Sequence, residues 1–514
     1  MTADDSTRQP EVQGADEPWD ARAPRPVSQR TPTDPDDHPH FLRGLRRHAE
    51  RALAEPDRLS NTTGTSMLSS RQIDLLHARA VVDLAGRIAA AALGSGATAA
   101  ESTALLLRVT QHYSVSVHAD VTLTSVTITH FRTLEEDPVT VLRTVRSKLT
   151  DYRRFELVEE LVDAITKEQM ALTAARNRIA EIVQMPKTYR RWVQTAATGM
   201  LGLWVAVLFG GSFTEAVIAG LTTATVDVIA YGVARLRAPE FFAQVAGSAF
   251  CGVVALLVMA ARANPDWNVH TSPSLIVAAG MISMLAGLSM TTATRDAIDG
   301  YLITSAARFV EVATLTTGIV LGLTMTLYVG LWLGVPAYLS PTTGARPVWW
   351  LQLIAASLIA LSFAVNNHLT PRTWLTAAFF GAMTWAISSW WGTVVDIPLG
   401  MIGLASFTAG LAAQALNRVA KVPTTGLLTA GVVSLVPGMS LYKGLLALVQ
   451  SSQGQTIALS PATTLFGALS VSVMIAAGAS LGTIAGRPLS MPSDWSTRVA
   501  LAKAWRRGSG DARG

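Results

Sequence analysis

Ser283-Met284-Leu285-Ala286-Gly287-Leu288-Ser289 and Ser434-Leu435-Val436-Pro437-Gly438-Met439-Ser440 share one pattern, Ser-x-x-x-Gly-x-Ser, and each copy lies in a hydrophobic segment. Small residues are common in membrane helices, so the match of residue types is a weak signal by itself. Its position gives it weight, because each copy falls in the fourth of five candidate spans in its own half of the hydrophobic region. The stretch therefore predicts a duplicated transporter.

The composition separates a charged N-terminal part from an apolar remainder. Half of the 514 residues are hydrophobic and only 15% are charged, which is unusual for a soluble protein. The net charge of +5 does not indicate nucleic acid, because the basic residues stand between hydrophobic runs and form no continuous patch. The single cysteine, Cys251, excludes disulfides and cysteine-based metal sites. The polar N-terminus has no hydrophobic signal region, so we expect no cleavable signal peptide.

The chain before residue 191 divides into a tail and a small domain. Residues 1–60 are rich in Asp, Pro, Arg and Thr, and we predict a disordered tail. Residues 71–185 have globular patterning and predict an α+β domain with its own core. Apolar spacing predicts helices over residues 73–93, 98–113, 139–149, 155–165 and 170–183. Alternation predicts strands over residues 115–123 and 126–131.

Ten hydrophobic segments follow, five in each half, and most have the length of a membrane span. They cover residues 193–209, 213–233, 243–261, 274–293, 303–333, 349–365, 374–390, 397–416, 426–446 and 463–485. The fold class predicted is a polytopic α-helical membrane protein with ten transmembrane helices in two five-helix repeats, 191–340 and 345–487. A basic tail, 488–514, closes the chain.

Along the chain, connecting loops with several basic residues alternate with loops that have few or none. The positive-inside rule then places both termini and the α+β domain in the cytoplasm, with the spans in the plasma membrane. An odd number of spans in each half inverts the second half relative to the first. Inverted repeats of this kind build alternating-access transporters with a binding site near the middle of the bilayer.

The second copy of the motif is expected to break its helix. Pro437 has no N–H to donate, and Gly438 permits a close approach or a distortion. Backbone groups freed at membrane depth persist only where protein or a wet cavity satisfies them, so a small polar solute is a candidate ligand. Ordinary close packing with a proline kink is the alternative. The predicted substrate-binding residues are Ser283, Gly287, Ser289, Ser434, Pro437, Gly438, Ser440 and Tyr442.

Ionisable residues at membrane depth indicate proton or substrate roles. Asp227 is the deepest carboxylate and is expected to exchange protons, unless it stays ionised in a water-filled vestibule or pairs with Arg235. Glu311 is the second candidate for proton coupling, although an i,i+3 ion pair with Arg308 is the more ordinary interpretation. Arg295 and Asp296 follow the first motif directly. They are predicted to make gating contacts, the alternative being a polar cytoplasmic loop.

The predicted domain also invites a catalytic interpretation. Alternation places His118, Asp120, Thr122 and Thr124 on one strand face, which a half-exposed sheet shows in any case. No nucleophile elbow, P-loop, dinucleotide fingerprint or zinc spacing occurs in the sequence. We therefore expect no catalysis, no cofactor and no metal, and an ion gradient as the energy source.

Several stretches resemble the threonine/serine exporters of actinobacteria. They include residues 118–128, 209–211, 285–288 and 305–309, and above all Leu435-Val-Pro-Gly-Met-Ser-Leu-Tyr-Lys-Gly444, which is close to the family's Leu-x-Pro-Gly-x-x-x-Tyr-x-Gly pattern. The resemblance implies a soluble N-terminal domain, ten spans, and export of L-threonine and L-serine driven by the proton-motive force. Residues 97–101 lack an Arg that many relatives carry after the Ser-Gly turn, which puts any role of that Arg in doubt.

The sequence thus predicts a secondary exporter of small hydroxy amino acids that works by proton antiport, with threonine, serine, protons and the lipid bilayer as its partners. Two alternatives stand beside it. One is a membrane-anchored hydrolase acting through the N-terminal domain, and the other is a channel or scaffold without coupled transport. Homo-oligomerisation is left open.

Overall fold

A computed structural model describes most of the chain between residues 63 and 490. The described ranges are 63–131, 138–145, 150–167, 169–263, 271–281, 283–284, 287–335, 347–391, 398–420, 424–452 and 460–490. The predictions for the tails 1–60 and 491–514 lie outside the described residues. Compact units divide at residue 73, and the residues described below from Asp74 onward belong to one unit.

The described residues 74–184, called here the N-terminal segment, combine helices with a small sheet. The elements are α1 (Thr63–Gly94), α2 (Ala99–His112), β1 (His118–Val121), β2 (Ser125–His130), β3 (Val139–Thr144), α3 (Tyr152–Lys167) and α4 (Leu172–Gln184). Helix α2 begins with a capping box, in which Thr98 and Glu101 bond each other's backbone N–H groups. The order of helices and strands agrees with the sequence pattern except at one place.

The exception is β3, because the sequence pattern predicted a helix over residues 139–149. Val139–Thr144 instead pairs antiparallel with β2, with Val141 opposite Ile128. Its residues alternate between half-buried and exposed, as on a sheet with one covered face. Val139, Thr140, Val141 and Thr144 are β-branched, and sheet pairing favours such side chains over helical packing. The helix prediction was therefore wrong here.

The sheet has the order β1-β2-β3, with both pairs antiparallel. In β1, His118 and Asp120 are exposed while Val121 is buried, so the predicted alternation of faces is present. Strand β1 ends at Val121, which makes it shorter than the predicted strand over residues 115–123.

The ten predicted hydrophobic segments all coincide with helices. They are α5 (Arg191–Leu208), α6 (Phe213–Arg235), α7 (Glu240–Ala263), α8 (Pro273–Met281), α9 (Gly287–Ile298), α10 (Leu302–Trp332), α11 (Trp349–Asn366), α12 (Trp374–Trp391), α13 (Pro398–Ala420), α14 (Thr424–Val432), α15 (Gly438–Ser452) and α16 (Pro461–Ser490). Twelve helices replace ten segments because the fourth segment of each half is broken in two.

Six described helices are long and apolar enough to cross a membrane by themselves. They are Phe213–Arg235, Glu240–Ala263, Leu302–Trp332, Trp349–Asn366, Leu399–Asn417 and Pro461–Gly486. The pair Thr424–Leu435 and Ser440–Ala447, bent by 52°, makes a seventh if it is one span. Large apolar side chains such as Met325 and Trp332 on α10 are exposed, as expected where lipid covers a helix. The chain is a polytopic helical membrane protein, and the count of ten spans stays a prediction.

The breaks lie at the two copies of the Ser-x-x-x-Gly-x-Ser motif. In the first, α8 ends at Met281 and α9 begins at Gly287, with a turn at residues 283–284. In the second, α14 passes into a 3-10 turn over Val433–Leu435, and α15 begins at Gly438. Ser283 and Ser434 therefore lie in the breaks. Both fourth segments are interrupted at matching places.

Helix packing repeats between the two halves. In the first half α5 packs on α6, α7 on α10, and α8 on both α6 and α7; in the second half α11 packs on α12, α13 on α16, and α14 on both α12 and α13. Between the halves, α5 packs on α11, α9 on α16 and α15 on α10. Each contact thus has a counterpart related by exchange of the halves, which is the arrangement expected of an internal duplication.

Equivalent hydrogen bonds accompany this packing. The hydroxyl of Thr223 on α6 donates to the carbonyl of Ala279 near the end of α8, at 3.3 Å. The hydroxyl of Thr384 on α12 donates to the carbonyl of Gly431 near the end of α14, at 2.6 Å. Carbonyls near a helix C-terminus lack helical partners. Each break is therefore supported by a threonine from the second helix of its own half.

The N-terminal segment and the membrane helices share one hydrophobic core. A single cluster of buried residues extends from Val81 and Ile128 to Leu201, Phe363 and Leu427. The sequence had predicted a domain with a core of its own. Apolar side chains of α1 to α4 continue into the helix bundle. A rearrangement of the bundle would therefore disturb the packing of the N-terminal segment.

Candidate functional site

A cavity of about 260 Å³ lies between the two breaks and is called here the central cavity. Both breaks contribute to its wall, and helices α5 and α11 complete it. The lining residues are Thr198, Leu201, Val205, Leu208, Phe209, Ser283, Leu288, Ser289, Ile359, Phe363, Asn366, Asn367, Val433, Ser434, Val436 and Gly438. The interrupted helices thus enclose a space with both apolar and polar surfaces, as small-molecule sites do.

Four of the predicted binding residues meet in this cavity. Ser283 and Ser289 come from the first break, and Ser434 and Gly438 from the second. The hydroxyl oxygen of Ser434 is buried and has no hydrogen-bond partner among the described residues. A buried hydroxyl without a partner is costly, and a polar ligand in the cavity would relieve that cost.

Three of the other predicted binding residues, Pro437, Ser440 and Tyr442, are not among the described residues of the cavity wall. Tyr442 is buried among apolar side chains that include Met281 and Val277. Ser440 lies in the first turn of α15, and Pro437 immediately precedes that helix. The backbone of the fourth, Gly287, begins α9.

Pro437 acts on the backbone as predicted. A helical bond from residue 437 to the carbonyl of Val433 is impossible, because proline has no N–H. That carbonyl instead accepts an i+3 hydrogen bond, of the 3-10 type, from the N–H of Val436 at 3.3 Å. The carbonyl of Pro437 in turn accepts the N–H of Leu441 at 2.9 Å, in the first turn of α15. The proline therefore produces the turn that brings Ser434 and Gly438 to the cavity.

Three polar lining residues escaped the sequence analysis. Asn366 and Asn367 end α11, and Thr198 faces them from α5. The Thr198 hydroxyl lies 3.2 Å from the Asn366 side-chain oxygen and 3.0 Å from the Gln194 carbonyl, which accepts its hydrogen. The signal available in the sequence was the pair of side-chain amides at the end of an apolar segment. Such a pair is also typical of an ordinary loop, so the sequence alone does not assign it to a binding site.

None of the described residues that line the central cavity is charged. Charge complementarity must therefore come from hydroxyls, side-chain amides and the ends of the interrupted helices. Helices α9 and α15 begin at the breaks, and a helix N-terminus favours negative charge. Helices α8 and α14 end there, and a C-terminus favours positive charge. The arrangement suits a small zwitterion with an ammonium and a carboxylate group.

The predicted gating residue Arg295 contacts the N-terminal segment. Its guanidinium lies 3.2 Å from the Glu101 carboxylate on α2. The same carboxylate accepts a hydrogen bond from the Thr425 hydroxyl on α14 at 2.8 Å. Burial would raise the pKa of Glu101, but Arg295 and the hydrogen bonds from Thr98 and Thr425 hold it below its ordinary value. Glu101 is therefore an anion that joins one helix of each break.

Asp296 adds a second junction beside the first. Its side chain is fully buried, accepts the backbone N–H of Ala99 at 3.3 Å, and lies 2.8 Å from the Arg308 guanidinium. The sequence had favoured Glu311 as the partner of Arg308. Both predicted gating residues thus lie where α9 meets the start of α2, and not in a solvated loop.

Asp227 lies outside the central cavity and has partners on α5. Its carboxylate is 2.5 Å from the Arg191 guanidinium and accepts the Thr195 hydroxyl at 2.7 Å. The guanidinium of Arg235, the partner considered from the sequence, lies instead over the Tyr231 ring at 5.9 Å. Helix α5 therefore carries the partners of Asp227 and, one turn later, a lining residue of the cavity.

A second cavity of about 160 Å³ adjoins the first and is called here the junction cavity. It is lined by Thr150, Asp151, Arg154, Lys187, Gln194, Asn366, Asn367 and His368. Asn366 and Asn367 belong to both cavities. Glu311, on α10, lines neither of them. The polar turn after α11 thus lies between the central cavity and the N-terminal segment.

Comparison with known proteins gives two family matches along the chain. Residues 83–330 match the family "Putative threonine/serine exporter", and residues 352–485 match "Threonine/Serine exporter, ThrE". The boundary between the matches falls between the two halves of the helix bundle. No solved structure matches the chain.

Two curated proteins are similar over most of their length. The "Probable threonine/serine exporter" of Mycobacterium tuberculosis is 29% identical over 471 residues, covering 89% of this chain and 85% of that protein. The "Threonine/serine exporter" of Corynebacterium glutamicum is 27% identical over 429 residues, covering 82% and 86%. The family is one of transporters and not of enzymes, so the hydrolase alternative is set aside.

Proposed function

We propose that this chain, which belongs to the threonine/serine exporter family, exports L-threonine and L-serine across the plasma membrane in exchange for protons. One observation carries the proposal, namely the central cavity between two interrupted helices. Hydroxyls from both breaks line it, and the buried Ser434 hydroxyl lacks a partner among the described residues. A site of this size and polarity suits a small hydroxy amino acid.

In the proposed complex the two ends of the amino acid are held by different groups. The substrate carboxylate is held at the N-termini of α9 and α15, because the first turn of a helix carries N–H groups without partners in the helix. Its ammonium is held by carbonyls at the ends of α8 and α14, together with the Asn366 and Asn367 side chains. The substrate hydroxyl bonds Ser434 or Ser289, and its methyl group contacts apolar residues such as Phe363.

The proposed transport cycle uses alternating access between two halves of inverted topology, each with five spans. The repeated packing of the halves and the matching breaks support it. Inverted repeats favour two states of similar free energy, related by a pseudo-two-fold axis in the membrane plane and open to opposite sides. In this proposal both termini and the N-terminal segment are cytoplasmic. Arg295 and Asp296, tied to that segment by Glu101 and Ala99, form the cytoplasmic gate.

Proton coupling is assigned to Asp227, with Glu311 as the second candidate. The central cavity has no acidic residue among its described lining, so coupling must act through a helix and not by direct contact with substrate. Helix α5 offers that route, because Arg191 and Thr195 bind Asp227 and Thr198 lines the cavity. Protonation of Asp227 would weaken its bond to Arg191 and free α5 to move.

The test is uptake of labelled threonine into proteoliposomes that contain the protein in the inverted orientation, with an imposed pH gradient. We expect accumulation above the outside concentration, collapse of the accumulation by a protonophore, and competition by serine. Accumulation without any dependence on the pH gradient would contradict antiport. Threonine flux that only equilibrates across the membrane would favour the remaining alternative, an uncoupled channel.

A further inference from the structure

A third cavity, of about 430 Å³, lies in the N-terminal segment and shares no lining residue with the central cavity. We call it the arginine cavity. It is bounded by α1, β3, α4 and the start of α3. Its lining residues are Arg87, Ala90, Ala91, Gly94, Ser95, Arg143, Thr144, Val145, Arg154, Ile179, Ala180, Val183 and Gln184. Three of these are arginines, and no described lining residue is acidic.

Among the described residues, more guanidinium groups than carboxylates lie at this cavity. Arg87, Arg143 and Arg176 all contact one carboxylate, that of Asp83. The Arg87 contact is 2.9 Å and the Arg176 contact is 3.6 Å. One carboxylate neutralises one guanidinium, so this cluster keeps an excess of positive charge beside the cavity.

The arginine donors are also incompletely used. The Nε atoms of Arg143 and Arg154 are buried and donate no hydrogen bond among the described residues. Arg154 donates from Nη2 to the carbonyl of Met185 at 2.9 Å, and its nearest carboxylate contact, to Asp151, is 3.9 Å. Leaving a charged donor buried without an acceptor costs free energy, so neither guanidinium has all of its donors satisfied by the described residues.

Part of the cavity lining is apolar. It includes Ala90 and Ala91 of α1 and Ile179, Ala180 and Val183 of α4. An inorganic anion would use only the arginines of such a lining. A ligand with a charged group at one end and an apolar body would use both kinds of residue.

We propose that the arginine cavity binds a small organic anion, whose phosphate or carboxylate group is held by Arg87, Arg143 and Arg154. Guanidinium groups are suited to this task because their paired N–H donors match the two oxygens of a carboxylate or phosphate. The apolar part of the ligand lies against α1 and α4. The alternative is that these arginines only brace the helices around Asp83.

Through Arg154, a ligand in the arginine cavity could influence the transport site. Arg154 lines both the arginine cavity and the junction cavity, which in turn shares Asn366 and Asn367 with the central cavity. In addition, the Ser95 carbonyl accepts the backbone N–H of Asp151 at 3.1 Å. An anion that draws Arg154 toward itself would therefore alter the wall of the junction cavity.

The experiment measures the melting temperature of the purified full-length protein in detergent. Three anions are compared at matched ionic strength, AMP, citrate and inorganic phosphate, with sodium chloride as the reference. Ligands that bind only the folded state stabilise it in proportion to the logarithm of their concentration. We expect AMP or citrate to raise the melting temperature, with a rise that is linear in the logarithm of concentration above the dissociation constant, and phosphate to raise it less.

Variants test whether the effect belongs to this cavity. Arg143→Gln is expected to weaken the stabilising anion by about tenfold or more, since it removes a charge-assisted contact. Arg108→Gln is the matched control, because Arg108 has similar exposure and pairs with Asp163 away from the cavity. Arg87→Gln replaces Arg143→Gln if that variant does not fold.

Three outcomes would overturn the proposal. The first is no stabilisation by AMP or citrate beyond sodium chloride. The second is equal stabilisation by phosphate and the organic anions, which would leave the apolar lining without a function. The third is equal loss in Arg143→Gln and Arg108→Gln, which would indicate a general charge effect. The readout is independent of transport, so it does not depend on the proposed export activity.

Discussion

Glu101 on α2 accepts a hydrogen bond from the hydroxyl of Thr425 on α14, with 2.8 Å between the oxygens. The same carboxylate lies 3.2 Å from the guanidinium of Arg295 on α9. A single side chain of the N-terminal segment therefore holds one helix of each break. If the two breaks move in opposite senses during transport, these contacts cannot all persist in both states. The contacts of Glu101 with Thr425 and Arg295 would then differ between the two transport states.

Glu101→Gln tests this link. The amide keeps the size and the hydrogen bond to Thr425 but loses the ion pair with Arg295. We expect the maximal export rate to fall by about fivefold or more, because Arg295 then keeps, among the described carboxylates, only its 4.0 Å contact with Asp299 and holds the closed gate less firmly. The Michaelis constant for threonine should change little, since Glu101 does not line the central cavity. Glu160→Gln, at an exposed position on α3, is the control. An unchanged rate in Glu101→Gln would remove the link from the mechanism.

Gly438→Leu is expected to abolish export while the protein still reaches the membrane. Gly438 is buried at the start of α15 and lines the central cavity, so a branched side chain would occupy the ligand's space. Gly467→Leu is the matched control, because an added Cβ at Gly467 meets nothing within 4 Å. The measurement is threonine flux normalised to the amount of protein in the membrane. Normal flux in Gly438→Leu would contradict a binding site at the second break.

Ser434→Ala tests the hydroxyl that lacks a partner. If this hydroxyl bonds the substrate, its loss should raise the Michaelis constant for threonine by about three- to tenfold, the value of one hydrogen bond. Protein stability should not fall, because no described bond is lost. Ser472→Ala is the control, since the Ser472 hydroxyl is buried and donates to the Ala468 carbonyl at 3.1 Å. A Michaelis constant that is the same in both variants would place the substrate elsewhere.

The sequence located the second break because proline and glycine act locally. Pro437 removes a backbone donor wherever it stands in a helix, so the interruption of the second motif could be inferred from residue chemistry alone. The first motif has no proline, so its residues carry no comparable local signal for a break. What the sequence could not give was the meeting of the two breaks in one cavity, because this depends on packing between residues about 150 apart in the chain.

Long-range partners explain the remaining differences. Asp227 was considered with Arg235 and Arg308 with Glu311, each on the same helix, whereas the structure places Arg191 beside Asp227 and Asp296 beside Arg308, on other helices. Glu101 likewise pairs with Arg295 on another helix. The pattern of Asn366 and Asn367 in the sequence is that of a loop, and only their position beside α5 in the structure identifies them as lining residues of the central cavity. The strand β3 was mistaken for a helix because a six-residue apolar pattern does not distinguish the two states without its neighbour β2.

The raised pKa of Glu159 predicts how the free energy of unfolding depends on pH. Burial, and then the charges of Glu101 and Asp163, raise the pKa of Glu159 from 4.5 to about 8, against opposition from Arg108. The folded protein therefore holds a proton that the unfolded chain releases above 4.5. The resulting stabilisation is complete below pH 4.5 and is lost as pH rises through about 8. The charged groups acting on Glu159 also include Glu156, on its own helix.

The measurement is the melting temperature of the purified protein between pH 6 and 9, in Glu159→Gln and in the parent protein. We expect the variant to lose a large part of the fall with pH that the parent shows, because glutamine is neutral throughout this range. Glu160→Gln, an exposed neighbour, should retain the parent profile. Identical profiles in Glu159→Gln and the parent would show that this carboxyl is already ionised near neutral pH.

Asp227→Asn tests the proposed proton coupling. The structure gives Asp227 a guanidinium partner, Arg191, and a hydroxyl partner, Thr195, so the carboxylate is well satisfied in this conformation. Coupling then requires a second conformation in which the ion pair is open and the carboxyl takes up a proton. Because both partners lie on α5, opening the pair would release the helix that carries Thr198 to the central cavity. In Asp227→Asn we expect gradient-driven accumulation to be lost, while threonine exchange at equal pH on both sides survives.

Arg191→Gln separates the carboxyl from the ion pair. It breaks the same contact but leaves a group at residue 227 that can bind and release a proton. If the carboxyl carries the proton, Arg191→Gln retains accumulation that depends on the pH gradient, at a reduced rate, whereas Asp227→Asn retains none. If the pair serves only to hold α5 against α6, both variants should lose exchange and accumulation together. Full gradient-driven export in Asp227→Asn would exclude this residue from coupling, and the same two assays would then be applied to Glu311→Gln.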